Sequence, residues 1–202
     1  IRQQVGEELI IQITTEAVGI YNREQQIQAV QELRPEAVSL AIREISPAGV
    51  DEKVSAEFFS FLHREGIAPQ YILYTREDIL HFKKLLERGI IPDDSISVLL
   101  VLGRYTENQQ SNATDIAPLL CHLPKVQYWS LCAFGSSEAD CMLEAIRLGG
   151  HCRVGFENNL LMSDGTLATD NAALVKAVCD GTLLLDRTVA SANDARRMLG
   201  LR

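Results

Sequence analysis

Gly149-Gly150-His151-Cys152-Arg153-Val154-Gly155-Phe156-Glu157-Asn158-Asn159 is the stretch from which the chain is best read. The double glycine ends a helix, a short apolar strand follows, and the far end of that strand carries an acid and two amides. Arg153 and Glu157 are four residues apart, so the period of two of a strand puts them on one face. Chemically able side chains at the end of an apolar strand suggest a scaffold that aims them.

The rest of the chain repeats this unit. Apolar, β-rich runs at residues 9–14, 37–42, 71–75, 96–102 and 128–132 read as strands, joined by the one that starts at 151. Between and after them come helical patterns at 23–33, 56–64, 77–88, 112–123, 137–148, 170–178 and 192–199. Pro35 and Gly66 stop two of them, and Gly181 is read as lying beyond the helix at 170–178. Ser137-x-x-Asp140 and Ser191-x-x-Asp194 have the spacing of capping boxes. A strand–helix unit every ~25–35 residues implies a parallel sheet, and strands without clean alternation imply one covered on both faces.

An open doubly wound sheet and a (β/α)8 TIM barrel both meet that description. No Gly-x-Gly-x-x-Gly follows the first strand, so nothing supports a dinucleotide fold. Polar or glycine residues instead mark the carboxyl ends of several strands: Thr14, Ser39, Thr75, Gly103, Gly135 and Glu157. That distribution belongs to a barrel, whose sites are built from the loops on one face. The expectation is an α/β fold, a (β/α)8 barrel with six of eight strand–helix units visible in one domain over 1–202. The first two units are expected to be absent.

Composition narrows the function classes. With 19 Lys and Arg against 27 Asp and Glu, the net charge is −8, which argues against a phosphate-binding surface and so against nucleic acid. The longest apolar run, 96–102, is too short to span a bilayer, and no basic-then-apolar leader opens the chain, so a cytoplasmic protein is expected. Five cysteines without a Cys-x-x-Cys pair read as reduced core residues.

Gly149-Gly150-His151-x-Arg153-Val154-Gly155-Phe156-Glu157-x-Asn159 resembles the β-keto acid cleavage enzymes, also called 3-keto-5-aminohexanoate cleavage enzymes. Gly165-x-Leu167-Ala168-x-x-Asn171-Ala172, the ending Val189-Ala190-Ser191-x-x-x-Ala195-Arg196, and upstream Ile13-Thr14-Thr15, Arg34-Pro35-Glu36 and Val101-Leu102-Gly103 resemble the same family. The resemblance implies a zinc-dependent barrel that passes an acetyl-sized unit between a β-keto acid and acetyl-CoA, giving acetoacetate and a new acyl-CoA. It implies Glu157 as a metal ligand beside two histidines of a His-x-His that this sequence lacks. Arg153, Asn158 and Thr14 fall at catalytic positions, and Thr15, Ser39 and Asn159 at substrate-binding ones.

The departures are as informative. Asn158 stands where the family has Asp, and an amide accepts no proton near neutral pH. Glu16-Ala17 follows Thr15 where the family has Gly-Gly, and Ala41 and Thr75 replace polar residues. These changes imply an impaired site or, alternatively, an inactive barrel that binds an acyl-CoA or a carboxylate. An unrelated phosphosugar-binding barrel is a weaker option. His151 and Trp129 read as packing residues, and Lys83, Lys84 and Arg88 as a solvated helix face. An incomplete barrel leaves strand edges open, so a homo-oligomer is expected.

Overall fold

The computed structural model describes residues 1–92 and 96–201. Six parallel strands form one sheet in sequence order: β1 (Gln12–Thr14), β2 (Ala37–Ala41), β3 (Ala68–Leu73), β4 (Ser97–Leu102), β5 (Tyr128–Ala133) and β6 (His151–Arg153). A one-turn helix, α1 (Arg2–Val5), precedes β1, and α2 (Arg23–Leu33) follows it. After β2 come α3 (Ile42–Ile45) and α4 (Lys53–Glu65), and after β3 comes α5 (Arg76–Glu87). Then α6 (Ile116–Leu120) follows β4, α7 (Glu138–Arg147) follows β5, and α8 (Asn171–Leu183) and α9 (Ala192–Leu199) follow β6.

The sheet is strongly curled. Thr14 on β1 and Arg153 on β6 line the same pocket although their strands are the two ends of the sheet. Flat, five spacings of about 4.8 Å would hold them some 24 Å apart. Across the concave face the Gln12 side-chain amide donates to Gln70 Oε1 (3.2 Å), and Gln70 Nε2 donates to Ser130 Oγ (3.4 Å). Residues from alternate strands meet in this way when a sheet closes around its own side chains. Ala41, Ile72, Leu99, Val101, Cys132 and Phe134 fill the concave face, while the larger cluster, with Phe58, Phe59, Tyr71 and Phe82, lies between the convex face and the helices. The architecture is therefore an α/β half-barrel of six parallel strands.

Several boundaries differ from the sequence reading. The helix read at 170–178 continues through Gly181, where a Cβ would sit 2.5 Å from Leu143 Cδ2. That glycine lets α8 approach α7 and does not end the helix. Ser137 makes no side-chain cap, and the strand read from 71 begins at Ala68. Thr75 is not a strand end. It caps α5, accepting from the Asp78 N–H (3.3 Å) while Asp78 Oδ2 accepts from the Thr75 N–H (3.1 Å). Strand β6 stops at Arg153, so Glu157 lies in the turn beyond it.

Candidate active site

The carboxyl ends of the strands converge on a narrow pocket. Thr14 and Glu16 enter it from β1, Tyr74 from β3, Arg104 from the loop after β4, Phe134 from β5, and Arg153 and Glu157 from β6 and its turn. The pocket's cavity measures about 10 Å³, room for roughly one water molecule.

Arg153 and Glu157 do meet, by a different route from the one expected. The chain leaves β6 at Arg153 and turns at Gly155, whose φ of 146° admits only glycine comfortably. The Asn158 and Asn159 N–H groups then both donate to Gly155 O, at 2.8 and 3.2 Å. This turn brings Glu157 Oε2 within 2.6 Å of Arg153 Nη2. The pair is partly solvated, with the Glu157 side chain 60% exposed. Of the other cations in the pocket, Arg104 lies over the Phe134 ring at 5.2 Å and makes no ion pair among the described residues.

Asn158 and Asn159 turn away from the pocket, into the protein. Asn158 Oδ1 accepts from the Cys132 thiol (3.1 Å), and its Nδ2 donates to Glu138 Oε1 (3.3 Å). Asn159 Nδ2 donates to Glu138 Oε2 (3.3 Å) and to Leu161 O (2.6 Å). The Gly155 N–H also reaches Glu138 Oε1, at 3.3 Å. Glu138 is thus a buried carboxylate, 2% exposed, gripping the site turn from below. Burial raises its pKa, and the hydrogen bonds from Asn159, Gly155 and Asn158 oppose that only in part. Burial likewise pushes the Cys132 thiol up to about 12, so it stays protonated at neutral pH and is no nucleophile.

The other expected substrate residues divide. Thr14 Oγ1 lies in the pocket and accepts from the Glu16 N–H at 3.2 Å. Thr15 is buried, its hydroxyl without a partner among the described residues, and Ser39 is 1% exposed with its carbonyl bound to the Thr15 N–H (2.9 Å). Neither lines the pocket. Glu16, Tyr74 and Arg104 do line it and were not among the expected site residues. Glu16 could have been found, because the family resemblance already marked it as a departure just past a strand. The Tyr74 hydroxyl, its pKa raised by burial and by the Glu16 charge, is a neutral hydrogen-bonding group there.

These residues do not by themselves fit zinc. Zinc takes three protein ligands and an open position. The pocket offers the carboxylates of Glu16 and Glu157 and no histidine, and no trio of metal-binding side chains occurs among the described residues. His151 packs edge-on against Tyr128, with its pKa lowered by burial and by Arg187.

Known proteins match the chain from end to end. A 3-keto-5-aminohexanoate cleavage enzyme of Fusobacterium nucleatum is 28% identical over 207 residues, covering 100% of this chain and 74% of that protein. One of the same name from Acetoanaerobium sticklandii is 28% identical over 206 residues, with the same coverage. A 3-oxoadipate:acetyl-CoA acetyltransferase of Cupriavidus necator is 26% identical over 181 residues, covering 84% of this chain and 61% of its own. The family model described as beta-keto acid cleavage enzyme matches residues 1–201, and the chain belongs to that family.

Proposed function

We propose that the protein, within a complete (β/α)8 barrel, exchanges acyl groups between a β-keto acid and acetyl-CoA. In the balanced reaction the C2–C3 bond of the keto acid breaks, its CH2–COO⁻ unit takes the acetyl group to give acetoacetate, and the remaining acyl group leaves on CoA. The observation that carries this reading is the grouping of Arg153, Glu157, Thr14 and Arg104 at the carboxyl ends of the strands. Arginine is always charged and planar, so it can hold the carboxylate of the acid and stabilise negative charge as the C–C bond breaks. Thr14, whose oxygen already accepts a bond, keeps its hydroxyl proton to donate. Asn158 works through the turn, as an anchor for Glu157.

Zinc belongs to the proposal only as a group that Glu157 holds together with ligands from outside these 202 residues; metal analysis of the full-length protein tests this. Homo-oligomers and a cytoplasmic location are also proposed. The outer edges of β1 and β6 have no strand partner among the described residues, and gel filtration tests the association. No helix among the described residues is long and apolar enough to cross a membrane.

The test of function is to supply full-length protein with acetyl-CoA and a panel of β-keto acids and to follow acetoacetate and acyl-CoA. Formation of both supports the reading. A second reading, a barrel that binds an acyl-CoA without chemistry, is favoured by the amide at 158 and by the small cavity beside Glu16. Calorimetry showing acyl-CoA binding without turnover would support it.

A further inference from the structure

The downstream run Gly165-x-Leu167-Ala168-x-x-Asn171-Ala172 lines no part of the pocket, yet it ends beside the site turn. After Asn159 the chain makes a small hairpin, bridged between Leu161 and Leu167. Asn159 Oδ1 holds the first leg, accepting from the Leu161 N–H at 2.9 Å. The legs pair through the Met162 N–H to Thr166 O (2.8 Å) and the Ala168 N–H to Leu160 O (2.9 Å). The hairpin returns the chain to the turn, where Asp170 caps α8 and Asn171 is the first residue of that helix. There Asn171 Oδ1 accepts from the Phe156 N–H at 2.8 Å. The same oxygen lies 2.9 Å from the place a Cβ would take on Gly155, so the approach needs glycine at that position.

Two acceptors therefore hold successive N–H groups of the turn. Glu138 of α7 takes the Gly155 N–H from the interior (3.3 Å), and Asn171 of α8 takes the Phe156 N–H at the surface (2.8 Å). Glu157 comes next, its Oε2 2.6 Å from Arg153 Nη2. A shift of the backbone at 155–156 moves Glu157, and Glu157 carries the Arg153 guanidinium with it. We propose that Asn171 is a positioning residue: through the Phe156 N–H it fixes the turn that aims the Arg153–Glu157 pair at the pocket. This inference rests on the proposed acyl exchange, in which Arg153 stabilises the charge that develops as the C–C bond breaks. Misplacing such a group by about 1 Å costs on the order of 100-fold in rate. A displaced but flexible arginine still meets a bound carboxylate, so the loss falls on kcat more than on KM. Asn171 also separates positioning from folding, because it is exposed whereas Glu138 is 2% exposed.

The test uses full-length protein with acetyl-CoA and the β-keto acid of the panel that it turns over fastest. Asn171→Ala should lower kcat about 10- to 100-fold and leave KM within about 3-fold. Its melting temperature should fall by no more than about 4 °C, the loss of one exposed hydrogen bond. Asn171→Asp keeps the accepting oxygen and suits the first turn of a helix, so it should hold kcat within about 3-fold of the wild type. An unchanged kcat in Asn171→Ala, a loss carried by KM or by unfolding, or an equal loss in Asn171→Asp overturns the inference. If the wild type turns over no β-keto acid, the function reading fails on its own, and NMR decides the role of Asn171. Exchange of the Arg153 side-chain N–H groups with solvent should quicken about 10-fold in Asn171→Ala and stay slow in Asn171→Asp, since the bond to Glu157 shields them. Equal exchange in all three proteins refutes it.

Discussion

The buried carboxylate of Glu138 is the residue on which the site turn depends. Three donors converge on it: the Gly155 N–H and the amides of Asn158 and Asn159. Glu138→Ala leaves them unpaired in the interior and should cost about 1–3 kcal/mol in urea unfolding. Asn158→Asp is the more pointed change. It would restore the acid expected of the family, but here it sets a second carboxylate 3.3 Å from Glu138. Two such groups cannot both ionise cheaply. Burial already makes folded Glu138 bind its proton more tightly than the unfolded chain does, so its contribution to stability is full below the ordinary value of 4.5 and is lost as pH rises through the folded value. Asn158→Asp should strengthen that trend, leaving the variant about 1–3 kcal/mol less stable at pH 7.5 with the deficit shrinking at pH 5. Urea titrations at both pH values check this, and a deficit independent of pH would contradict the shared-proton account. In the sequence Asn158 was visible as a departure but its direction was not. A turn, unlike a strand, does not fix which side chains face the pocket. Glu138 itself was hidden one residue past Ser137, in what read as a helix cap.

At the scale of elements, three contacts hold the scaffold that aims the site. Gly150 packs on Trp129, where a Cβ would lie 2.5–2.7 Å from the indole ring. The double glycine therefore both ends α7 and lets β6 reach β5. Gly150→Ala should cost roughly 1–3 kcal/mol by overpacking, and it should shift the emission of the single tryptophan. Asp78 accepts the Arg43 guanidinium at 3.1 and 2.5 Å as well as the N–H groups of Tyr74 and Thr75, fixing the pocket's Tyr74 at the end of β3. Arg43 is a third exposed, which discounts the ion pair, so Asp78→Ala should cost about 2–3 kcal/mol by thermal unfolding. Arg196 on α9 is 8% exposed and bonds Glu7 O (2.6 Å), Leu9 O (3.1 Å) and Glu36 Oε1 (3.3 Å), tying the last helix to the entry of β1. Strands and long helices were legible because apolar runs and the 3.6-residue period are local signals. The helix through Gly181 was not, because the reason for that glycine is Leu143, 38 positions earlier.

At the scale of the whole molecule, the parallel order of six strands followed from their spacing, and membership of the β-keto acid cleavage family from the run at 149–159. The curl of the sheet was expected from the polar residues at the strand ends, and the structure shows it as a half-barrel in which Thr14 and Arg153 line one pocket. The central claim is that this meeting point handles a β-keto acid and acetyl-CoA. Incubating full-length protein with acetyl-CoA and 3-keto-5-aminohexanoate, then measuring acetoacetate and acyl-CoA by mass spectrometry, tests it most directly. The account predicts that both products form in equal amounts and that Arg153→Ala lowers their rate at least 100-fold by removing charge stabilisation. Acyl-CoA binding with no product from any β-keto acid, or a rate indifferent to Arg153→Ala, would contradict it.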